Sequence, residues 1–225
     1  MSRVFKRFLV LGFVLSFSGS GFAKAHPEER PQTSPQITLR VFNYAQVSPE
    51  TWSIAQQVAS RIFSQSGVKT LWLDCSLSSA GTYSLPVCET LAGPTDFIVR
   101  IVPASPATRE HFGDGTLGIA AQPDKGTSAS ASIFLNRVEE LAKGGSASHA
   151  VILGHAVAHE IGHLLLGSNS HSPIGLMRAK WNRQDLQRAT GGELLFTQRE
   201  AAFIREDVRK RAGQQELVSS KNPTD

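Results

Sequence analysis

Residues 148–166 read SHAVILGHAVAHEIGHLLL, and this stretch decides the fold. Apart from its His residues and Glu160, it is built of apolar and small residues on nearly every side. This pattern predicts a helix that is buried all round. Unpaired His and Glu side chains are costly to desolvate inside a protein, so we expect them to share a common partner.

The helix contains His159-Glu160-Ile161-Gly162-His163, an H-E-x-x-H pattern. Residues four apart lie on one helix face, so both imidazoles can reach one metal ion. Glu160 is offset around the helix and can act as general base on a water at the metal without being a ligand. Zinc held by three protein groups keeps a fourth position open and lowers the pKa of bound water towards ~7. At this composition the pattern arises by chance in about one sequence in a hundred, and the alternative of a solvated helix conflicts with the apolar flanks.

A third ligand is expected after the helix. Gly167 follows Leu164-Leu165-Leu166 as a C-cap glycine does. His171 comes eight residues after His163, close enough for the chain to return it to the metal. Two rivals remain open, Asp185 and Glu193, either of which would complete a site of two His and one carboxylate. His155, one turn before His159, is interpreted as a core or rim residue, with a supporting role behind the ligands as the alternative.

The run HEIGHLLLGSNSHSPIGLM, from His159 to Met177, resembles the metzincin clan of zinc peptidases, particularly its matrixin-like branch. That family has an extended H-E-x-x-H-x-x-G-x-x-H motif, followed by a turn with a methionine beneath the metal. The resemblance implies one catalytic Zn²⁺ with His159, His163 and His171 as ligands, Glu160 as general base and Met177 as the turn methionine. Two spacings depart from the family pattern, since Gly167 and His171 follow His163 by four and eight residues rather than three and six. No Tyr follows Met177 to stabilise an oxyanion.

Alternation and helical spacing predict the other elements. Strands are expected at 37–42, 68–73, 96–102, 117–121 and 131–136, and helices at 49–66, 148–166 and 197–211. This order of elements fits a layered α/β arrangement, in which one helix lies under a sheet and the helix with the H-E-x-x-H pattern lies behind it.

The resemblance sharpens this to an α+β, α/β-like fold over roughly residues 37–211. It implies a twisted, mostly parallel sheet with an antiparallel edge strand, one backing helix, a buried active-site helix and a C-terminal helix. It also implies that an extended substrate lies along the edge strand, at Gly118, Ile119, Ala120 and Ala121. Trp181 would form one wall of the specificity pocket, with ordinary packing as the alternative.

The N-terminus has the pattern of a secretory signal peptide. Positive residues precede the apolar run Phe8 to Phe17, and Ala23-Lys24-Ala25 fits an A-x-A cleavage site. We expect cleavage after Ala25, a flexible lead-in over 26–36, one peptidase-like domain over 37–213 and a disordered tail over 214–225. An uncleaved anchor is the alternative. Four of the 23 Lys and Arg and none of the 19 Asp and Glu lie in the leader, so the mature chain carries 19 of each. Its neutrality removes the charge argument for nucleic acid or anionic lipid as a partner.

The two cysteines, Cys75 and Cys88, are predicted to form a disulfide, because an even number in an exported chain favours pairing. Two free thiols, or a thiolate that masks a metal, are the alternatives.

Together these features predict a monomeric zinc endopeptidase that acts on peptides or proteins, is secreted or periplasmic, and has no membrane span once the signal is removed. A non-catalytic zinc-containing binding module on the same scaffold, and a zinc amidase acting on cell-wall material, are the alternatives.

Overall fold

The computed structural model describes residues 34–77, 81–83, 85–103, 116–122 and 128–221. The predicted signal peptide lies outside these residues, as do residues 26–33 of the predicted lead-in and 222–225 of the predicted tail. Among the described residues, no helix combines the length and the apolar character needed to cross a membrane.

A five-stranded sheet forms the centre of the described chain, in the order β2-β1-β3-β5-β4. Its strands are β1 (Gln36–Asn43), β2 (Lys69–Asp74), β3 (Asp96–Val102), β4 (Gly118–Ala121) and β5 (Ser130–Phe134). The β1–β2, β1–β3 and β3–β5 pairs are parallel, whereas β4 runs antiparallel to β5. The predicted mostly parallel sheet with an antiparallel edge strand is therefore confirmed.

Five α-helices and one short 3-10 helix, Pro86–Glu89, accompany the sheet in the described residues. The α-helices are α1 (Pro49–Gln65), α2 (Leu135–Ala142), α3 (His149–Leu166), α4 (Arg183–Gly191) and α5 (Gln198–Lys221). Helix α3 packs against α1, α2 and α5 and against strands β4 and β5. This central position explains why the sequence of α3 is apolar around its whole circumference.

The core lies between the sheet and the helices. In β3, Phe97, Val99 and Ile101 are fully buried and alternate with half-buried residues. In β1, Val41 belongs to this main core while its neighbour Phe42 joins a separate small cluster with Cys75 and Cys88. Successive strand residues point to opposite faces, so the cysteine cluster covers the sheet face that is turned away from α3.

The predicted disulfide is present and joins Cys75 to Cys88 across a sequence separation of 13 residues. It begins directly after β2, at the opposite edge of the sheet from β4. The disulfide is therefore remote from the edge strand that the substrate was predicted to use.

The helices differ from prediction in three places. Helices α2 and α4 were missed, and the strand expected to reach Asn136 ends at Phe134 because α2 starts immediately afterwards. Helix α4 begins at a capping box formed by Asn182 and Asp185, an N-x-x-D variant of the usual signature. Helix α5 continues to Lys221 rather than ending near Arg211, so it takes in part of the segment predicted as a tail.

Candidate metal centre

Helix α3 is a buried helix, and it carries the residues of the H-E-x-x-H pattern. Ser148 caps its first turn by accepting a hydrogen bond from the Val151 amide, and Gly167 caps its end. Of its 18 residues, 15 are buried, including His159, Glu160 and His163. The side chains of these three residues are therefore held by packing before any ligand arrives.

Three imidazoles converge beyond the last turns of α3. The Nε2 atom of His163 lies 3.1 Å from Nε2 of His159 and 3.1 Å from Nε2 of His171. Ligand atoms of all three residues lie within 4.8 Å of one another. His159 and His163 are buried, whereas His171 comes from the exposed loop that follows the helix. Although His171 follows His163 by eight residues rather than six, its ring still reaches the cluster.

Hydrogen bonds on the far side of the rings orient them. His159 donates its Nδ1–H to the carbonyl oxygen of Leu176 at 2.8 Å, and a carbonyl can only accept. Nε2 of His159 therefore carries a lone pair that faces the cluster. Ser170 Oγ lies 3.0 Å from Nδ1 of His163 and can accept its hydrogen in the same way. Such partners fix the tautomer of metal-ligating histidines.

Burial keeps the two helix imidazoles neutral. It lowers the pKa of His159 to about 4, and it also lowers the pKa of His163, with the neighbouring His171 as a further cause. Neutral imidazole is the form that binds a metal. Zinc–nitrogen bonds of about 2.0–2.1 Å at tetrahedral angles place two donors about 3.3 Å apart, close to the spacing seen here. The three nitrogen donors therefore fit zinc.

Glu160 lies beside this cluster without belonging to it. Its side chain is buried, and burial raises the pKa of its carboxyl group to about 8. No other cause contributes to that shift. A nearby positive charge favours the ionised form and would bring this pKa down again.

A cleft of about 360 Å³ exposes the cluster to solvent. Its lining includes Glu160, the three histidines and Trp181, together with Gly118, Ile119 and Ala120 of β4. Ala121, the last residue of β4, does not line the cleft. Because β4 is the last strand of the sheet, its outer backbone edge has no strand partner among the described residues.

The edge strand is fixed to the metal helix by one side chain. Gln122, directly after β4, donates from Nε2 to the carbonyl oxygens of His163 and Leu164, both at 3.2 Å. Arg211 of α5 donates to the same Leu164 carbonyl at 3.0 Å. The His163 carbonyl also accepts the Gly167 amide at 3.0 Å, and the bonds to Leu164 satisfy a carbonyl near the end of the helix, where intrahelical donors run out. The bonds of Gln122 also fix the position of β4 relative to the end of α3, where His163 lies.

Met177 packs against α3, the helix that carries His159 and His163. Its side chain is fully buried, and a Cβ added to Gly162 would approach its sulfur to 2.7 Å. Because Gly162, the residue before His163, has no side chain, the sulfur of Met177 can approach the helix closely at this point. The structure thus places Met177 against α3, and its role as the turn methionine beneath a metal stays a prediction.

The rival ligands point elsewhere. Asp185 pairs with Arg178 at 3.1 Å and completes the cap of α4, and Glu193 is exposed. His155 is fully buried, donates from Nδ1 to the Val151 carbonyl at 2.8 Å and contacts Trp181 edge-on. Within the described residues, the metal-ligating side chains that come together are the three predicted histidines.

Comparison with known proteins gives limited information. No family model matches the sequence, and no curated protein matches it. Among solved structures, the chain is similar to archaemetzincin from Methanopyrus kandleri, at 16% identity and a TM-score of 0.47, over 80% of this chain and 99% of that one. It is also similar to a zinc-dependent peptidase from Methanocorpusculum labreanum, at 14% identity and a TM-score of 0.47, over 74% and 99% of the two chains. Neither similarity assigns a family or an activity to this chain.

Sequence reasoning missed the groups that support the site. The Leu176 carbonyl belongs to the backbone, so the residue type at that position carries no signal of its role. Ser170 directly precedes His171 and was a visible candidate for a hydrogen-bond partner. Gln122 follows the edge strand in sequence, but its bond to α3 spans 41 residues and emerges only from the tertiary fold.

Proposed function

We propose that this chain is an exported zinc-dependent endopeptidase with a metzincin-like fold of the matrixin-like branch. One observation carries the proposal: three Nε2 atoms converge beside a buried glutamate, in a cleft along β4, which is the edge strand of the described sheet. Structural carboxylates and histidines in a core are normally paired with protein groups. Here the shared partner that fits the three nitrogen donors is a metal ion.

His159, His163 and His171 would hold one zinc ion. When bound, zinc supplies Lewis acidity, which polarises a peptide carbonyl and makes a water molecule reactive near neutral pH. The tautomer of His159, set by the Leu176 carbonyl, leaves Nε2 free to bind the ion. Three protein donors leave room for a water or a substrate at a tetrahedral site, which is the arrangement of catalytic rather than structural zinc.

Glu160 is the residue that moves the proton. Its carboxylate accepts a proton from the attacking water and returns it to the amine that leaves. Burial raises the pKa of Glu160 to about 8, and a bound zinc ion would lower it from there towards neutral pH. A group with a pKa in that range is able both to take and to release the proton.

The substrate backbone would lie along β4. The Leu117 carbonyl accepts a hydrogen bond from the Phe134 amide, so Leu117 faces β5. Because backbone groups alternate along an antiparallel strand, the N–H and C=O groups of Gly118 and Ala120 face the open edge. An extended peptide that pairs with them gains main-chain affinity with little dependence on sequence.

Two features support export. The N-terminal sequence fits a signal peptide, and the disulfide suits an oxidising compartment. We propose that the mature chain acts as a monomer, in the periplasm or outside the cell.

Replacing Glu160 by Gln tests the function directly. Purified wild-type protein should contain about one zinc per chain and cleave unrelated peptides in a library read by mass spectrometry. Glu160→Gln should keep the zinc and lose about 100-fold or more in kcat, because a general base contributes that much. Glu139→Gln, at an exposed residue of α2, makes the same isosteric change away from the site and should be fully active.

The outcome separates the alternatives. Full activity of Glu160→Gln would refute the mechanism. Zinc binding without cleavage of any peptide would favour a binding module, whereas release of cell-wall fragments alone would favour a zinc amidase.

A further inference from the structure

Trp181 makes contacts that link it to one predicted zinc ligand. Its indole N–H donates to the Leu176 carbonyl at 3.0 Å. Its ring also lies edge-on to the ring of His159, with centroids 5.7 Å apart, and edge-on to His155 at 6.1 Å. Trp181 is half-buried and lines the cleft, so part of its surface is available to a substrate.

The Leu176 carbonyl is shared between Trp181 and His159. It accepts the Nδ1–H of His159 at 2.8 Å in addition to the indole N–H. A carbonyl oxygen has two lone pairs, so it can accept both bonds. The amide N–H of Leu176 is held as well, by the carbonyl of Leu195 at 2.8 Å. The two donors, Nδ1–H of His159 and the indole N–H of Trp181, determine the direction in which the carbonyl points.

The position of Trp181 is itself fixed. The next residue, Asn182, is the N-cap of α4 and forms a capping box with Asp185. Asp185 also pairs with Arg178, which anchors the other end of the segment. The indole ring also lies edge-on against fully buried His155, one helical turn before His159.

We propose that Trp181 is a positioning residue for the metal centre. By donating to the Leu176 carbonyl and packing on the imidazole, it fixes the direction of that carbonyl and the ring plane of His159, so that Nε2 faces the other two histidines. The inference rests on the zinc site of the proposed function. It adds that the affinity of this site depends on a residue that does not touch the metal.

Trp181→Phe removes the indole N–H and keeps an aromatic ring. Trp72→Phe is the matched control, because Trp72 is also half-buried and donates its indole N–H, to Ser60 Oγ at 2.8 Å. Trp72 lies on β2, at the far edge of the sheet from β4. The zinc Kd of both variants is measured by competition with a chromogenic chelator, and the visible absorption of the cobalt-substituted proteins is recorded.

Partners of metal-bound histidines change affinity by about 10- to 100-fold, and Trp181 acts one bond further away. We therefore expect Trp181→Phe to weaken zinc binding by about three- to tenfold and to change the cobalt spectrum. Trp72→Phe should match the wild type in both measurements. Equal zinc affinities and equal cobalt spectra for the two variants would overturn the inference.

A second measurement leaves Trp181 in place. The chain has three tryptophans, so ¹⁵N labelling of the indoles gives three signals, and Trp52→Phe and Trp72→Phe assign two of them. Added zinc should shift the remaining signal and slow its exchange with solvent, without affecting the Trp72 signal. A Trp181 signal that does not respond to bound zinc would refute the role. If the wild-type protein binds no zinc, the inference and the proposed function both fail.

Discussion

Replacing Gly118 by Ala should separate metal binding from catalysis. Gly118 lies in β4 opposite Ile133 and touches Glu160 of the metal helix. A Cβ at this position would lie 2.8 Å from Cγ and 3.1 Å from Cδ of Glu160, and 2.7 Å from the backbone oxygen of Ser132. The closest of these carbon contacts is roughly 0.6 Å shorter than ordinary van der Waals contact allows.

The added methyl group forces one of two movements. The strand can shift away from β5, or the carboxyl group of Glu160 can swing away from β4. Overpacking of this kind costs about 1–3 kcal/mol of the free energy of unfolding. A misplacement of catalytic groups by about 1 Å can cost 100-fold in rate. We therefore expect kcat to fall by about 10- to 100-fold, while the three histidines keep their zinc.

The assay compares kcat, KM, zinc content and thermal midpoint at a temperature well below unfolding. Gly213→Ala is the matched control, because a Cβ there meets no atom within 4 Å. It should leave kcat unchanged. A folded, zinc-loaded Gly118→Ala protein with wild-type kcat would show that the contact between β4 and Glu160 has no role in catalysis.

Two further predictions concern stability. Burial lowers the pKa of His155 to about 4 from 6.5, so the unfolded chain binds a proton that the folded chain does not; this shift should cost no stability above about pH 6.5 and up to about 3 kcal/mol as the pH drops towards 4. Urea unfolding of the zinc-free protein checks this as a difference between variants, since His155→Leu should remove this share of the pH dependence and leave the similar share of His159, whereas His149→Gln, at an exposed residue, should change nothing. Replacing Cys75 and Cys88 by Ala should lower the free energy of unfolding by about 3 kcal/mol, because the pair closes a short loop. The zinc Kd should stay the same, and a large loss of zinc affinity would contradict the remoteness of the disulfide from the site.

The sequence was most informative where chemistry and periodicity coincide. The i, i+4 spacing of His159 and His163 placed both rings on one face, and their buried flanks required a shared partner. His171 was accessible to the same reasoning, because the chain after Gly167 has to turn. Strand β3 was predicted at its observed bounds, since its alternation of apolar residues is uninterrupted.

The remaining features depend on contacts between distant segments. Helix α2 starts directly after β5, with no intervening turn residues to mark the boundary, and only Val138 of this helix is buried. The helix is only eight residues long, and its first two residues were assigned to the preceding strand, so its helical spacing was not recognised. The contact of Gly118 with Glu160 joins residues that are far apart in the chain, and no local pattern contains it.

The polar atoms of α3 explain why its sequence tolerates so many histidines in a buried helix. The Nδ1 atoms of His155, His159 and His163 each have an oxygen partner. On the side facing the cleft, Nε2 of His163 lies 3.1 Å from Nε2 of His159 and 3.1 Å from Nε2 of His171, and His159 at least contributes a lone pair. Lone pairs at that distance repel one another unless a proton or a cation lies between them, and burial disfavours the extra proton on His159 and His163. A metal ion removes this repulsion, so its binding free energy adds to the stability of the fold as well as to its chemistry.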